Sequence, residues 1–253
     1  MKRILQLTYT IACLLLGHSM FAQNAELSIS EKHAIRAFVN DLQYERKELV
    51  AAAMHYPMER LYPLKPIIDE KEFIEHYDEF IDTPFIESVK SSEWERIGWR
   101  GICCGNGIMW GNIDENGEFY AYSYRLTQKG KHVWREAVNK QRERLYQGLR
   151  SFEEPVFMFS TTKYTIRVDL MQDNTYRYAS WNKGHVISTK PDLIITKGEL
   201  NTEGSLHLEY YTFKNGDYEY EIGPGVRSDG YEYELTVSRK GNLLMSQQGN
   251  VYY

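Results

Sequence analysis

The second half of this chain alternates short strands with turns, and this pattern constrains the fold more than any other feature. Turn residues such as Asn215-Gly216 and Gly241-Asn242 recur about every ten residues between segments rich in β-formers. The predicted strands are 163–171, 175–182, 192–200, 205–213, 217–222, 231–238 and 243–248. A meander of this spacing predicts an antiparallel barrel or sandwich over residues 155–253.

Residue alternation in the first of these strands predicts how its two faces are used. Ile166 and Val168 alternate with Arg167 and Asp169. Because side chains on a strand point to opposite faces in turn, we expect one face in the core and the other in water.

The first half shows helical periodicity followed by strands. Ile35, Phe38 and Leu42 recur at three- and four-residue spacing, which predicts a helix that begins at Ser28 and ends before Pro57. Asp69 predicts the cap of a second helix that reaches about residue 81. Glycine-punctuated strands follow Trp94. We expect an α+β unit in which the helices pack on a bent antiparallel sheet.

A charged helical segment between these parts sets the predicted domain plan. Residues 131–154 are expected to be a connecting helix between an α+β domain at 24–130 and the all-β domain at 155–253.

The first 23 residues have the zones of a secretory signal peptide. Met1-Lys2-Arg3 precede an apolar run that ends in small residues near Ala22. Residues 1–23 are therefore expected to be removed, which predicts a periplasmic or secreted protein with no transmembrane segment afterwards. A lipid-attachment site at Cys13 is the alternative.

Several short segments of the first half carry a family resemblance. They are His55-Tyr56-Pro57, Pro66-Ile67-Ile68-Asp69, Phe73, Tyr77, Gly98-Trp99-Arg100-Gly101 and Asn106-Gly107-x-x-Trp110. Residues 30–127 thereby resemble secreted bacterial proteins of the nuclear-transport-factor-like, cystatin-like cone fold. The resemblance implies a pocket between helices and sheet, and it implies no activity, because folds of this kind serve many functions.

Cys103 and Cys104 are the two cysteines that remain after signal removal. They are adjacent, which leaves three interpretations open: two buried thiols, a vicinal disulfide, or an exposed pair that meets another chain. Two adjacent sulfurs without a second pair of ligands cannot close a zinc site, so no metal site and no cofactor is predicted.

Candidate catalytic residues are few. His55 at a helix end, with Asp69 beyond the following loop, is the candidate acid–base pair. Glu72, His76 and Glu79 share one helix stripe, where a salt-bridged histidine is the favoured interpretation over an acid–base or metal cluster.

A pair of segments that alternate tyrosine and glutamate is the most unusual local pattern. If they pair as a hairpin, Glu219, Glu221, Glu232 and Glu234 share one face. Like charges directly opposite on a sheet are destabilising, so a basic partner protein or a calcium ion could offset the cost. A solvated face relieved by neighbouring Arg and Lys is the simpler interpretation.

The loop of this hairpin carries a second resemblance. Gly225 to Gly230, which includes Arg227 and Asp229, precedes a tyrosine-rich strand and then Arg239-Lys240-Gly241. Residues 223–241 thereby resemble the periplasmic inhibitors of C-type lysozymes. The resemblance implies insertion of the loop into the cleft of a basic enzyme.

Trp181 is the aromatic candidate for a glycan site. It alternates with Arg177 on the side of its strand away from Tyr176 and Tyr178. We expect it either on a surface where it could stack on a sugar ring or buried in the core.

Charge narrows the possible partners. A formal net charge of -5 supplies no basic field, so nucleic acid is excluded as a partner. The function that the sequence favours is non-catalytic binding of a protein or glycan ligand of the cell envelope. The alternatives are a hydrolase or isomerase that uses the first-domain pocket, and an inhibitor of a basic lysozyme.

Overall fold

The computed structural model of the protein describes residues 24–105, 107–123, 125–203, 208–225, 230 and 232–253. Helices and antiparallel sheets are both present, and the second half closes into a barrel of eight strands. The α+β class is therefore confirmed, and the barrel is the one of the two expected β architectures that forms. The predicted signal peptide lies outside the described residues.

The described residues contain five α-helices, four of them in the first half. They are α1 Ile29–Gln43, α2 Lys47–Ala52, α3 Glu70–Glu75, α4 Thr83–Ser91 and α5 Gln128–Arg144.

Local capping explains where these helices begin and end. Ser28 and Glu31 form a reciprocal capping box at the start of α1. The single helix expected up to Pro57 is divided into α1 and α2 at Glu45, which has a positive φ of 51°. Asp69 caps α3 as predicted, but α3 ends early because the N–H of His76 is shared between two carbonyls and a 3-10 turn follows.

The strands of the first half form one antiparallel sheet. They are β1 Asn24–Ala25, β2 Trp94–Ile97, β3 Ile102–Cys104, β4 Met109–Ile113 and β5 Phe119–Ser123, paired in that order. Side chains from the helices and from the sheet belong to one buried cluster, and the rings of Phe38 and Phe119 lie 4.9 Å apart.

The barrel has one strand more than the sequence predicts. Its strands are β6 Glu154–Ser160, β7 Tyr164–Leu170, β8 Tyr176–Asn182, β9 Leu193–Glu203, β10 Leu208–Asn215, β11 Tyr218–Pro224, β12 Tyr233–Arg239 and β13 Asn242–Val251. Neighbours in sequence pair with each other, and β13 closes the barrel on β6 through Asn250–Ser160 and Val251–Phe159. A Cβ on Gly249 would lie 2.2 Å from the carbonyl oxygen of Ser160, so closure needs glycine there.

The two ends of the barrel have different surroundings. At one end β6, β8, β10 and β12 begin, and residues 59–62 of the first half lie against it. We call this the proximal end and the opposite one the distal end. The interior between them is apolar and aromatic, with Phe159, Tyr178 and Phe213 among its buried side chains.

Helix α5 and the turn after it cover the outer face of β7 and β8. Leu145 and Phe152 belong to one buried cluster there, and Leu149 joins Ala179 and Trp181 in another. The segment that the sequence predicts as a connector therefore packs on the barrel wall. At its start α5 also contacts the first half, through the Thr127 hydroxyl, which donates to carbonyls of Asp78 and Glu79.

The outer face of β7 is consequently not in water, and the expectation of a solvated face was wrong. Arg167 and Asp169 are both fully buried, and Arg177 of β8 is nearly so. The alternation itself is as predicted, because Ile166 and Val168 lie in the barrel interior. Sequence alternation identifies the outer face, but it does not reveal that α5 covers it.

These buried charges form one network. Each oxygen of Asp169 meets a different guanidinium at 2.6 Å, Arg167 at Oδ1 and Arg177 at Oδ2. Arg177 also donates to the carbonyls of Leu149 and Ser151 at 2.6 and 3.0 Å. The carboxylate thus joins two strands, and Arg177 fixes the turn that follows α5.

Both cysteines are free, buried thiols on β3. Cys104 belongs to the core of the first half, and Cys103, its neighbour, is 8% exposed. Of the three interpretations, the structure contains the buried thiols. Burial raises the pKa of both, that of Cys104 to about 12.

We expect Asp169→Asn to lower the free energy of unfolding by about 3–5 kcal/mol, because two buried guanidinium groups would lose their counter-charge. Urea denaturation of the purified variant measures the change. Asp173→Asn is the matched control: this exposed carboxylate pairs with Lys197 in solvent, so little change is expected. Equal effects of the two substitutions would show that the buried network is not a main support of the fold.

We expect the native protein to react slowly with iodoacetamide at pH 8, with Cys104 slower than Cys103. The thiolate is the reactive form, and burial disfavours it at both positions. Mass spectrometry after timed quenching measures each site, and the urea-unfolded chain supplies the reference rate. Rapid native labelling of Cys104 would contradict its burial.

Candidate functional site

A cavity of about 680 Å³ lies at the proximal end of the barrel. Its walls are the ends of five strands, β6 and β10 to β13, and residues 59–62 of the first half close over one side. Residues distant in sequence therefore meet there. Small-molecule sites are commonly cavities of this size at the mouth of a barrel or between domains.

Aromatic rings form the floor of this proximal cavity. Phe157 stacks on Tyr233 with ring centroids 4.4 Å apart and meets Tyr211 edge-on at 5.2 Å. All three are interior residues near the start of their strands, which places them at the same end of the barrel. Tyr253 adds a fourth ring at the rim.

Three carboxylates also line the cavity: Glu59, Glu209 and Glu232. Glu209 accepts a hydrogen bond from the hydroxyl of Tyr211 at 2.9 Å, and Glu232 accepts one from the N–H of Val251 at 2.6 Å. These contacts fix two of the carboxylates at the rim above the aromatic floor.

The carboxylates affect the phenols around them. Burial raises the pKa of Tyr233 to about 12, and Glu232 adds to the effect. Burial also raises the pKa of Tyr253 to about 12, with Glu59 and Glu232 adding to it. Burial is the larger cause of both pKa shifts, and the carboxylates act in the same direction because a negative charge disfavours a phenolate.

The segment that covers the cavity is held in place at both ends and at its tip. Met58 and Ile67 exchange backbone hydrogen bonds of 2.8 and 2.9 Å at its base. At its tip the hydroxyl of Tyr62 accepts from Gln141 of α5 at 2.6 Å and donates to the carbonyl of Tyr252 at 3.1 Å. The cover is therefore tied to both the helix and the barrel.

Gln141 connects this cover to the buried network described above. Its side-chain oxygen accepts from Arg167 at 2.6 Å, while its amide nitrogen donates to Tyr62. The position of the cover thus depends on side chains on the outer wall of the barrel.

Arg60 is the one basic residue among the described residues that line the cavity, and it is already paired. Its guanidinium contacts Glu79, and both side chains are 6% exposed. Glu79 also meets His76 at 2.6 Å, which confirms the prediction of a salt-bridged histidine. Glu72 instead accepts the N–H of Ile68, so the three predicted stripe residues do not form one cluster.

The structure does not bring the candidate catalytic pair into a shared cavity. His55 is exposed, and its ring centroid lies 6.1 Å from that of Tyr120. Asp69 caps α3 through a 2.9 Å bond from the N–H of Glu72 and lines a surface groove beside Tyr56. His55 does not line that groove.

The tyrosine–glutamate segments do pair as a hairpin, β11 with β12, but no glutamate lies directly opposite another. Glu219 is opposite Ser238, Glu221 opposite Thr236, and Glu234 opposite Gly223. The repulsion that motivated a docking surface was therefore overestimated.

The local partners of these glutamates differ from one to the next. Lys214 lies 3.9 Å from Glu219, and the hydroxyl of Ser246 donates to Glu234. For Glu221, partial burial and the neighbouring Glu219 raise the pKa. Glu232 stands apart at the rim of the proximal cavity.

Two of the predicted docking residues, Arg227 and Asp229, lie outside the described residues. Insertion of their loop into a lysozyme cleft stays a prediction.

Of the two positions expected for Trp181, the structure contains the buried one, so the glycan-stacking position was wrong. Its side chain is on the outer side of β8 as expected, but it is fully buried beneath the turn that contains Leu149. Its indole N–H donates to the carbonyl of Thr189 at 2.9 Å. A ring in this environment stabilises the barrel wall and cannot stack on a sugar.

Sequence reasoning missed both ends of the barrel as sites. Besides the proximal cavity, a smaller cavity of about 290 Å³ lies at the distal end, lined by Tyr164, Tyr178, Tyr218 and Tyr220 among others. The sequence signal that could have identified these two cavities is the placement of interior aromatic residues at the ends of the strands.

Comparisons with known proteins assign no family to this chain. A scan of protein-family models, a search of curated proteins and a search of solved structures each found no match to this chain. The two family resemblances therefore stay predictions.

Two structural findings complete the description. Within the part of the chain that the structure describes, no helix is both long and apolar enough to cross a membrane. In that same part, no group of three or more His, Cys, Asp or Glu side chains is arranged to hold a metal ion.

We expect the stability of the protein to fall steeply as the pH rises from 10 to 12. Burial raises the pKa of Tyr62 to about 12, whereas an unfolded tyrosine titrates near 10. Above pH 10 the unfolded chain therefore binds fewer protons than the folded one, so the stabilisation, fully present below pH 10, is lost as pH rises through the folded pKa.

Urea denaturation at several alkaline pH values measures this dependence. Tyr62→Phe should make it shallower, whereas Tyr44→Phe, which changes an exposed ring, should leave it as in the wild type. The interpretation is refuted if the two variants show the same slope.

Proposed function

We propose that this protein is a non-catalytic binding protein whose ligand occupies the proximal cavity of the barrel. The observation that carries the proposal is the cavity itself, about 680 Å³ with an aromatic floor and a cover from the first half of the chain. Eight-stranded barrels have an interior just wide enough for side chains or one small ligand, and their mouths are common binding sites.

The lining of the cavity supports binding over catalysis. Its described residues include no histidine, cysteine, serine or lysine, and the proton-carrying side chains that do line it are glutamates and tyrosines. The candidate pair His55 and Asp69 lies elsewhere on the surface. Glu209 and Glu232 are instead held by hydrogen bonds from the protein, which suits fixed charges that orient a ligand.

The cover supports a site that is already formed in the free protein. Tyr62 is 9% exposed, and its hydroxyl and carbonyl take part in hydrogen bonds with Gln141, Tyr252 and Trp134. A preformed cavity binds without the entropic cost of ordering a loop, which favours affinity.

The location that we propose is the periplasm or the exterior of the cell, on the signal-like pattern of residues 1–23. A protein or glycan component of the cell envelope is then the ligand source. For the first half we propose a cone-like arrangement with helices layered on the sheet. Its support is the common core cluster and the quoted resemblance of residues 30–127.

A substitution at the rim tests the proposal. Leu61 lines the cavity and is 53% exposed, so Leu61→Trp should narrow the entrance without disturbing the core. We expect the wild type to bind Nile red or a soluble muropeptide whose carboxylates are amidated, and the variant to bind it at least tenfold more weakly. Nile red fluorescence and isothermal calorimetry with the muropeptide measure the two affinities.

The matched control for this experiment is Leu244→Trp, which changes an equally exposed leucine of β13 outside the cavity. It should bind as the wild type does. Failure of every probe to bind the wild type, or equal loss in both variants, would refute a site at the proximal cavity.

A further inference from the structure

We propose that the proximal cavity selects a small organic cation, a substituted ammonium group carried on an apolar body. This inference deepens the proposed function and rests on it. It joins three observations on the same cavity: its carboxylates, its aromatic rings and, among the described residues, the lack of a metal-type ligand set.

The charge of the lining is negative. Glu209 and Glu232 contribute two carboxylates, and among the described lining residues the basic one is Arg60, whose charge is already matched by Glu79. Among the described residues, neither Glu209 nor Glu232 forms an ion pair with a Lys or Arg side chain. A ligand that brings a positive charge would therefore meet two carboxylates, Glu209 and Glu232, to which the described residues supply no basic partner.

The aromatic floor suits the same ligand. Phe157, Tyr211 and Tyr233 pack against one another and line the cavity together. A cation within about 6 Å of a ring centroid is attracted by the negative face of the ring. The described cation–π contacts of the protein involve other rings, so among the described residues no Lys or Arg side chain lies over these three rings.

The two features work together, since neither suffices for selectivity. Carboxylates alone attract any cation in solvent and are screened by salt. Aromatic rings alone bind neutral apolar molecules as well. A partly enclosed cavity that combines them strengthens the electrostatic attraction and excludes strongly hydrated inorganic ions, which keep their water.

Other ligand classes fit less well. An anion would meet the carboxylates of Glu209 and Glu232 in a half-enclosed space, and like charges repel. A hard divalent cation requires several converging oxygen ligands, and the described residues hold no such group. A neutral sugar would leave the carboxylates without a counter-charge after their water is displaced.

Matched probes test the inference. Choline and the neutral isostere 3,3-dimethylbutan-1-ol have the same shape and differ in charge. Nα-acetyl-lysine amide and Nα-acetyl-norleucine amide form a second pair that represents a peptide side chain as the source of the cation. We expect at least one cationic probe to bind the wild type tenfold or more tightly than its neutral partner, as measured by calorimetry at low ionic strength.

Variants then assign the preference to the carboxylates. Glu209→Gln with Glu232→Gln keeps the size and the hydrogen-bond acceptors of both side chains, so the fold should be retained, which circular dichroism and thermal unfolding check. The ratio of cationic to neutral affinity should fall to within about threefold of unity. The control variant, Glu143→Gln with Glu199→Gln, removes the same charge from exposed positions outside the cavity and should keep the ratio.

Each outcome decides between the two proposals. Preference in the choline pair alone supports a free quaternary ammonium compound, and preference in the lysine pair alone supports a peptide source. If neutral and cationic probes bind equally and Leu61→Trp still weakens them, the binding function stands and the cation class is refuted. If the ratio falls as far in the control variant, the preference comes from net charge, and the inference also fails.

Discussion

The buried carboxylate of Asp169 is the charge that balances the outer wall of the barrel where α5 covers it. It lies between Arg167 and Arg177 and supplies the negative charge that pairs with their two guanidinium groups. Without it, both positive charges would be buried in the barrel wall without a counter-charge. Arg167, one of these two arginines, donates to the side-chain oxygen of Gln141. Gln141 in turn donates to the hydroxyl of Tyr62 at the cover of the proximal cavity. A site on the inside of the barrel is therefore positioned by an ion network on its outside.

The sequence predicted the local features of this structure better than the contacts between residues distant in sequence. Period-two alternation correctly separated the inner from the outer residues of β7 and β8, because it reflects local backbone geometry. It failed for Trp181 and Arg167, since a buried outer face and a solvated one have the same alternation. The apolar stripe of α5 shows that the helix packs on something, but the partner surface is set by tertiary contacts that no local pattern contains.

The candidate site was even harder to predict, because its residues are brought together by tertiary contacts alone. Glu232 was predicted as part of a glutamate face, and the structure places it at the rim of a cavity instead. Glu59, Phe157 and Glu209 were not singled out at all, because they come from three separate segments and no motif joins them. Their common feature is position at one end of the barrel, which becomes visible only when strand order and closure are known.

The order in which the chain can assemble follows from the closing contacts. β6 must pair with β13, the strand farthest from it in sequence within the barrel, and the hydroxyl of Tyr62 bonds to a carbonyl 190 positions away. Contacts of such long sequence separation form slowly, because loop-closure entropy is lost before they contribute. The proximal cavity is thus among the last parts of the molecule to form. Until it does, the aromatic strand ends that later line it are exposed surface, and the time spent in that state sets how long the chain is vulnerable to aggregation.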